Sequence, residues 1–194
     1  MKDNHTKETN KLITKALIYK QKGDLINAEI ALKKALKLEP GNFIVLNNIG
    51  NIYSAKNDQE KAKNFFLKAI KIKGDYGNAI FNLALINEEV GNKKEAVELY
   101  KKAIDCDPDN LSFYYNLSRI DNDFFSSNKI ENVKKILKKG ENSNFGKASG
   151  FFILAEDQRK KVNLEKELEY LTEAHKYFHF FNEKINNQVS FYWI

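Results

Sequence analysis

Residues 43–76 read FIVLNNIGNIYSAKNDQEKAKNFFLKAIKIKGDY, and residues 77–110 read GNAIFNLALINEEVGNKKEAVELYKKAIDCDPDN. Laid one over the other, the two stretches place Ala62 on Ala96, Ala69 on Ala103 and Asn57 on Gly91. The register extends backwards to Ala28, Ala35 and Gly23, and Pro40, Gly74 and Pro108 close successive units. A fixed step of about 34 residues is the mark of a repeat array, in which each unit buries its apolar face only against its neighbours.

Within each unit the apolar residues fall at helical spacing. Leu12, Ala16 and Tyr19 form one stripe, and Leu25, Ala28, Leu32, Ala35 and Leu36 another. Gly23 suits the left-handed turn between them, and Asp24 suits the N-cap that follows. Leu46, Gly50 and Tyr53 then Ala62, Phe66 and Ala69 replay the pattern behind Asp58, as do Ile80, Leu83 and Ala84 then Ala96, Tyr100 and Ala103. The alanines let paired helices approach closely. Asn87 stands where the earlier units have tyrosine, which should loosen one packing contact.

These residues resemble the tetratricopeptide repeat family, with three well-formed repeats across residues 9–110 (Thr9–Asn42, Phe43–Tyr76 and Gly77–Asn110). The resemblance implies an all-α fold, a right-handed superhelix (α-solenoid) of about five antiparallel helix pairs with essentially no strand. Residues 1–8 are polar and expected to be disordered. Residues 111–144 read as a divergent fourth repeat: Tyr114, Leu117 and Ser118 keep the register, while Asp121 replaces the aromatic and Ser126-Ser127-Asn128 the turn glycine. Ile130, Val133, Ile136 and Leu137 give its second helix without the small alanines, hence a wider pair. Residues 145–194 are expected to hold a fifth pair, with Phe151, Phe152 and Ala155 then Leu168, Leu171 and Ala174, and an aromatic C-terminal segment.

Function follows from the same resemblance. The family binds other chains on the concave face lined by the first helix of each repeat. The residues expected there are Asn47, Asn48, Asn51, Asn78, Phe81, Asn82, Leu85, Tyr115, Asn116 and Arg119, with Ile44 and Ser112 beside them. Asn48, Asn82 and Asn116 recur on the repeat step, with Thr14 in the first unit, and resemble the asparagine ladder that holds peptides by their backbone. An amide both donates and accepts, so such a row suits an extended peptide; an Asn-rich chain also places asparagine there with no ligand in view. Phe81 and Tyr115 are interface anchors or inner-surface padding. The basic residues of a chaperone-type carboxylate clamp are missing, since Asn47, Ser112 and Asn116 occupy those places.

Other chemistry finds little support. There is no nucleophile–base set, phosphate loop or supported carboxylate pair, so no enzyme and no cofactor are expected. His175 and His179 share a helix face, but a third ligand is wanting and no metal is expected. Cys106 excludes an internal disulfide and fits a reducing compartment. The net charge is +6, carried by lysine with arginine nearly absent. Arginine is the residue that reads phosphates and base edges, so a solvated Lys-rich surface is expected and nucleic acid is not. The polar start and the lack of an 18-residue apolar run point to a cytoplasmic protein with no membrane partner.

The last stretch, with Tyr177, Phe178, Phe180, Phe181, Phe191, Tyr192 and Trp193, is unusual for a terminal repeat. It reads as a plug for the end of the array, as a homodimer contact, or as the approach to a missing domain. On the last reading, Phe151 to Trp193 resembles the repeat that precedes the catalytic domain in bacterial tetratricopeptide–sulfotransferase fusions. That family's phosphosulfate-binding loop does not occur here. A protein-interaction scaffold for a protein or peptide partner is the first reading, and the front of such an enzyme the alternative.

Overall fold

The computed structural model describes residues 2–121, 123–126 and 128–190, and the side chains of these except those of 2, 3, 126 and 180–190. Among the described residues the secondary structure is ten α-helices and one 3-10 turn, with no strand. The helices are α1 (Lys2–Gln21), α2 (Leu25–Leu38), α3 (Phe43–Ala55), α4 (Gln59–Ile72), α5 (Gly77–Glu89), α6 (Lys93–Cys106), α7 (Leu111–Ile120), α8 (Lys129–Lys139), α9 (Asn144–Lys160) and α10 (Leu164–Ser190). The all-α, paired-helix architecture of an α-solenoid is therefore what the chain adopts. Contacts divide it into two units, residues 1–92 and 93–194. The division cuts through the third repeat, because in an array each helix touches only its neighbours.

In the first unit, α1 packs on α2 and α3 on α4, while α2 meets α3 and α4 meets α5. The turns are made as the sequence requires. Gly23 and Asn57 take positive φ of 75° and 60°, the left-handed region that glycine and asparagine enter at least cost. Asp24 accepts from the Asn27 N–H at 3.0 Å and Asp58 from that of Lys61 at 3.1 Å, capping α2 and α4. Ala28, Ala35, Ala62 and Ala69 are wholly buried; Leu32, Val45, Ile49 and Ile52 share a core with Ala28 and Ala35, while Ala69 packs with Leu46 and Ala79, and Ala62 with Phe66 and Ile86. Residues 2–8, expected to be disordered, belong instead to α1. Asn87, in the place of the earlier tyrosines, is buried, and its Nδ2 donates to the Leu83 carbonyl of its own helix at 3.0 Å.

In the second unit, Ala96, Tyr100 and Ala103 of α6 are fully buried, and α6 packs on α7. The fourth pair is irregular. Phe124, in the 3-10 turn Phe124–Ser126, is fully buried, and α7 makes its main contact with α9 rather than α8. Gly150 of α9 explains this. A Cβ there would lie 2.9 Å from Leu111 of α7 and 3.0 Å from Leu137 of α8, so α9 reaches in between them.

The fifth pair, α9 and α10, is the most extensively packed pair of this unit. Its turn residue, Val162, has φ 57°, three residues beyond position 159, where two further steps of 34 from Gly91 would place it. Counted from that turn, Ala155 matches Gly50, Leu171 matches Phe66 and Tyr100, and Ala174 matches Ala69; Ala155 and Ala174 are buried. Glu167 stands in the place of Ala62 and accepts from Arg159 Nε at 2.7 Å. Phe151 stacks on Tyr177 at 5.7 Å between ring centroids. The helix continues to Ser190; the side chains of Phe180 and Phe181, and all of Phe191, Tyr192 and Trp193, lie outside the described residues.

Candidate functional site

The expected binding residues fall in both units, and each group stands by itself. In the first unit α3 and α5 lie side by side. Asn82 of α5 is set between two residues of α3: its Nδ2 donates to Asn47 Oδ1 at 3.0 Å and to Asn51 Oδ1 at 2.9 Å. Asn47 is buried, at 5% exposure, while Asn51 and Asn82 are half-buried. Both amide protons of Asn82 are thus used within the fold. Among the described residues, no other partner is found for the Asn51 NH2 or for Asn82 Oδ1. The cluster therefore presents a donor and an acceptor side by side, the pair that one peptide group needs.

Phe81 and Leu85, on α5 beside this cluster, are half-buried, and Asn78 is exposed one turn earlier. Asn48 differs from Asn82. Its Nδ2 donates to the Ile44 carbonyl of its own helix at 3.0 Å, and Thr14 likewise turns its hydroxyl to the Asn10 carbonyl. The even spacing of Asn48 and Asn82 hides this inequality, because one residue faces its own backbone and the other the preceding repeat.

In the second unit Asn116 also donates to its own helix, at the Ser112 carbonyl, 2.9 Å away. Tyr115 and Arg119 line a cleft of about 650 Å³ together with Phe125, Phe152, Glu156, Arg159, Lys160 and Leu171. Tyr115 and Phe152 have ring centroids 6.0 Å apart, and Lys160 Nζ lies 4.8 Å from the Phe125 centroid. The sequence reading missed Phe125, Phe152, Arg159 and Lys160. The available signal was arginine itself, since the chain has thirty lysines and only Arg119 and Arg159. His175 packs edge-on against Phe152, at 5.5 Å. Among the described residues no group of three or more His, Cys, Asp or Glu is placed to hold a metal, and no helix is long and apolar enough to cross a membrane.

Helix pairs with buried alanines at their crossings, and first helices carrying half-buried amides and aromatics, define a helical-repeat interaction scaffold. The chain belongs to the tetratricopeptide repeat family, whose repeat models match residues 12–42, 44–76 and 77–110. Its fold is similar to that in the crystal structure of MamA, with a TM-score of 0.57 at 20% identity over 85% of this chain and 95% of that one. It is also similar to the first tetratricopeptide domain of Spaghetti (RPAP3), solved with an HSP90 peptide, with a TM-score of 0.54 at 18% identity over 59% of this chain and 90% of that one. A Thermobaculum terrenum O-GlcNAc transferase matches with a TM-score of 0.56 at 13% identity over 80% of this chain and 26% of that one. No curated protein sequence matches.

Proposed function

We propose that this scaffold holds an extended segment of a partner protein on α3 and α5, by hydrogen bonds to the partner's backbone. The observation that carries the reading is the Asn47–Asn51–Asn82 cluster. Its outward groups complement a backbone C=O and N–H, whatever the partner's side chains. Phe81 and Leu85 add apolar area, which such a contact needs: each hydrogen bond contributes only about 0.5–1.5 kcal/mol net, less than association costs. Asn78 would extend the polar edge, and Asn48 would offer its Oδ1. In the second unit Tyr115, Asn116 and Arg119 are proposed as contacts for a further part of the partner. The related structure solved with an HSP90 peptide supports peptide binding as a use of this fold. The reading assigns the chain binding and no catalytic step.

Peptide display selection on the full chain tests this. Selected peptides should lose about tenfold or more in affinity with Asn51→Ala plus Phe81→Ala, and be little changed when their own side chains are scrambled. Peptides that bind the double variant unchanged would move the site elsewhere.

A further inference from the structure

From the exposed face of α10 we infer that a second copy of this chain docks there, the two α10 helices lying antiparallel about a two-fold axis beside Leu171 and Thr172. Leu164, Leu168, Leu171, His175 and Phe178 follow one another at steps of four, three, four and three, the spacing of a seam between two helices. Leu164 and Leu168 are 72% and 67% exposed, and Phe178 is exposed as well.

This is the face on which the earlier pairs receive their next helix. Counted from the turns, Leu164, Leu168, Leu171 and His175 stand where α4 has Gln59, Lys63, Phe66 and Ile70. On α4 that face is covered: Gln59 donates to Glu89 of α5, and Phe66 shares a core cluster with Ile86 of α5. One repeat earlier Glu29, in the place of Lys63, accepts from Tyr53 of α3 at 2.7 Å. No helix follows α10 among the described residues, yet the two places that are polar on α4 are leucine here.

The first helix shows the opposite change. On α1 the places of Val45 and Ile49, which are fully buried in the core shared with Ala28 and Leu32, are held by the exposed Lys11 and Lys15. A terminal repeat is made polar in this way where it faces water. Head-to-tail stacking of copies would set the leucines of α10 against those lysines. The helix that carries a matching apolar seam is α10 itself.

Charge sets the direction. Along the outer edge of the seam lie Glu165 and Glu169, then Thr172, then Lys176, all exposed. Neither glutamate has an ion pair among the described residues. Lys176 Nζ lies 3.6 Å from Glu173 of its own helix, an exposed pair that contributes little. Parallel helices would set the glutamates of one copy beside those of the other. The antiparallel order brings Glu169 to Lys176 of the second copy, Leu164 to its Phe178 and Leu168 to its His175, while Leu171 and Thr172 meet their own counterparts.

The seam runs about 21 Å along a helix about 10 Å across, a contact at the small end of protein interfaces. The dimer is accordingly weak, with a dissociation constant on the order of 10–100 μM. Sedimentation equilibrium of the full chain over about 5–500 μM should show the mass rise from 22.5 kDa to twice that and stop, because a two-fold contact closes on itself. Leu164→Gln with Leu168→Lys gives α10 the residues of α4. It should weaken the dimer about tenfold or more and leave the circular dichroism unchanged, both side chains being exposed. On mild oxidation Thr172→Cys, beside the axis, should give a disulfide-linked dimer and Glu165→Cys should not. A mass that stays monomeric, or one that climbs past the dimer as head-to-tail stacking requires, would overturn the inference. So would a double variant that dimerises like the wild type, or cross-linking that does not favour Thr172→Cys. The wild-type mass decides even where a variant does not fold. None of these outcomes bears on the asparagine cluster of α3 and α5, which stands or falls with the display selection.

Discussion

Gly50 of α3 lies against the ring of Phe66 on α4, so close that a Cβ on Gly50 would fall 2.7 Å from Phe66 Cδ1. Phe66 is 1% exposed and cannot turn aside. The crossing of the second helix pair is therefore set by a hydrogen atom on one side and an aromatic ring on the other.

Gly50→Ala should consequently lower stability by about 1–3 kcal/mol, the usual cost of overpacking, despite alanine's better helix propensity. Gly150→Ala should cost less. Its Cβ would meet the methyl ends of Leu111 and Leu137 at 2.9–3.1 Å, a milder approach than that at Gly50, and replacing glycine inside a helix gains about 0.5–1 kcal/mol. Urea denaturation of the two variants side by side would check the order.

Asn82→Ala should destabilise the fold by about 1–3 kcal/mol, because it strands the buried Asn47 carbonyl oxygen without a donor. Asn48→Ala should be nearly neutral by comparison, its amide serving only its own helix. Thermal melts would distinguish them. A stability loss at Asn82 must be separated from any loss of peptide affinity, which is why Asn51 is the residue chosen for the binding test.

Stability should fall with acid in a way that Glu29 controls. Its side chain is 15% exposed. Burial pushes its carboxyl up, but hydrogen bonds from Lys33, Lys56 and Tyr53 outweigh that and hold it down at about 2. A carboxyl depressed on folding stabilises the native state above its unfolded value, near 4.5, and that stabilisation is lost as pH falls towards 2. Glu29→Gln should therefore be less stable than the wild type at pH 6–7, by about 1.5–3 kcal/mol, with the gap narrowing between pH 4.5 and 2. A gap that does not change with pH would contradict the assignment.

Val162 is a β-branched residue in the left-handed region, at φ 57° and 80% exposed. Such a backbone costs about 1–2 kcal/mol for an ordinary L-residue, and little burial compensates. Val162→Asn should raise the melting temperature, matching the asparagine at the equivalent turn, Asn57. An unchanged melting temperature would show that the turn carries no strain.

The sequence by itself determined the helix pairs, their turns and their seams. These depend on contacts between residues close along the chain, and a glycine, a capping aspartate and alanines on a fixed step encode them locally. It also placed Ala155 and Ala174 in a fifth pair, because small buried residues keep their spacing from a turn even when, as at Val162, the turn residue itself is atypical. It did not reveal that Asn82 bridges Asn47 and Asn51 while Asn48 and Asn116 bond their own helices, since these five asparagines look alike until a neighbouring helix supplies a partner. Nor did it bring Arg159 and Phe125 to Arg119. Those residues meet because Gly150 admits α9 between α7 and α8 and because the fifth pair starts three residues late, both consequences of packing. Local periodicity specified the scaffold; the chemistry of its surfaces was decided by which side chains tertiary contact leaves turned outward.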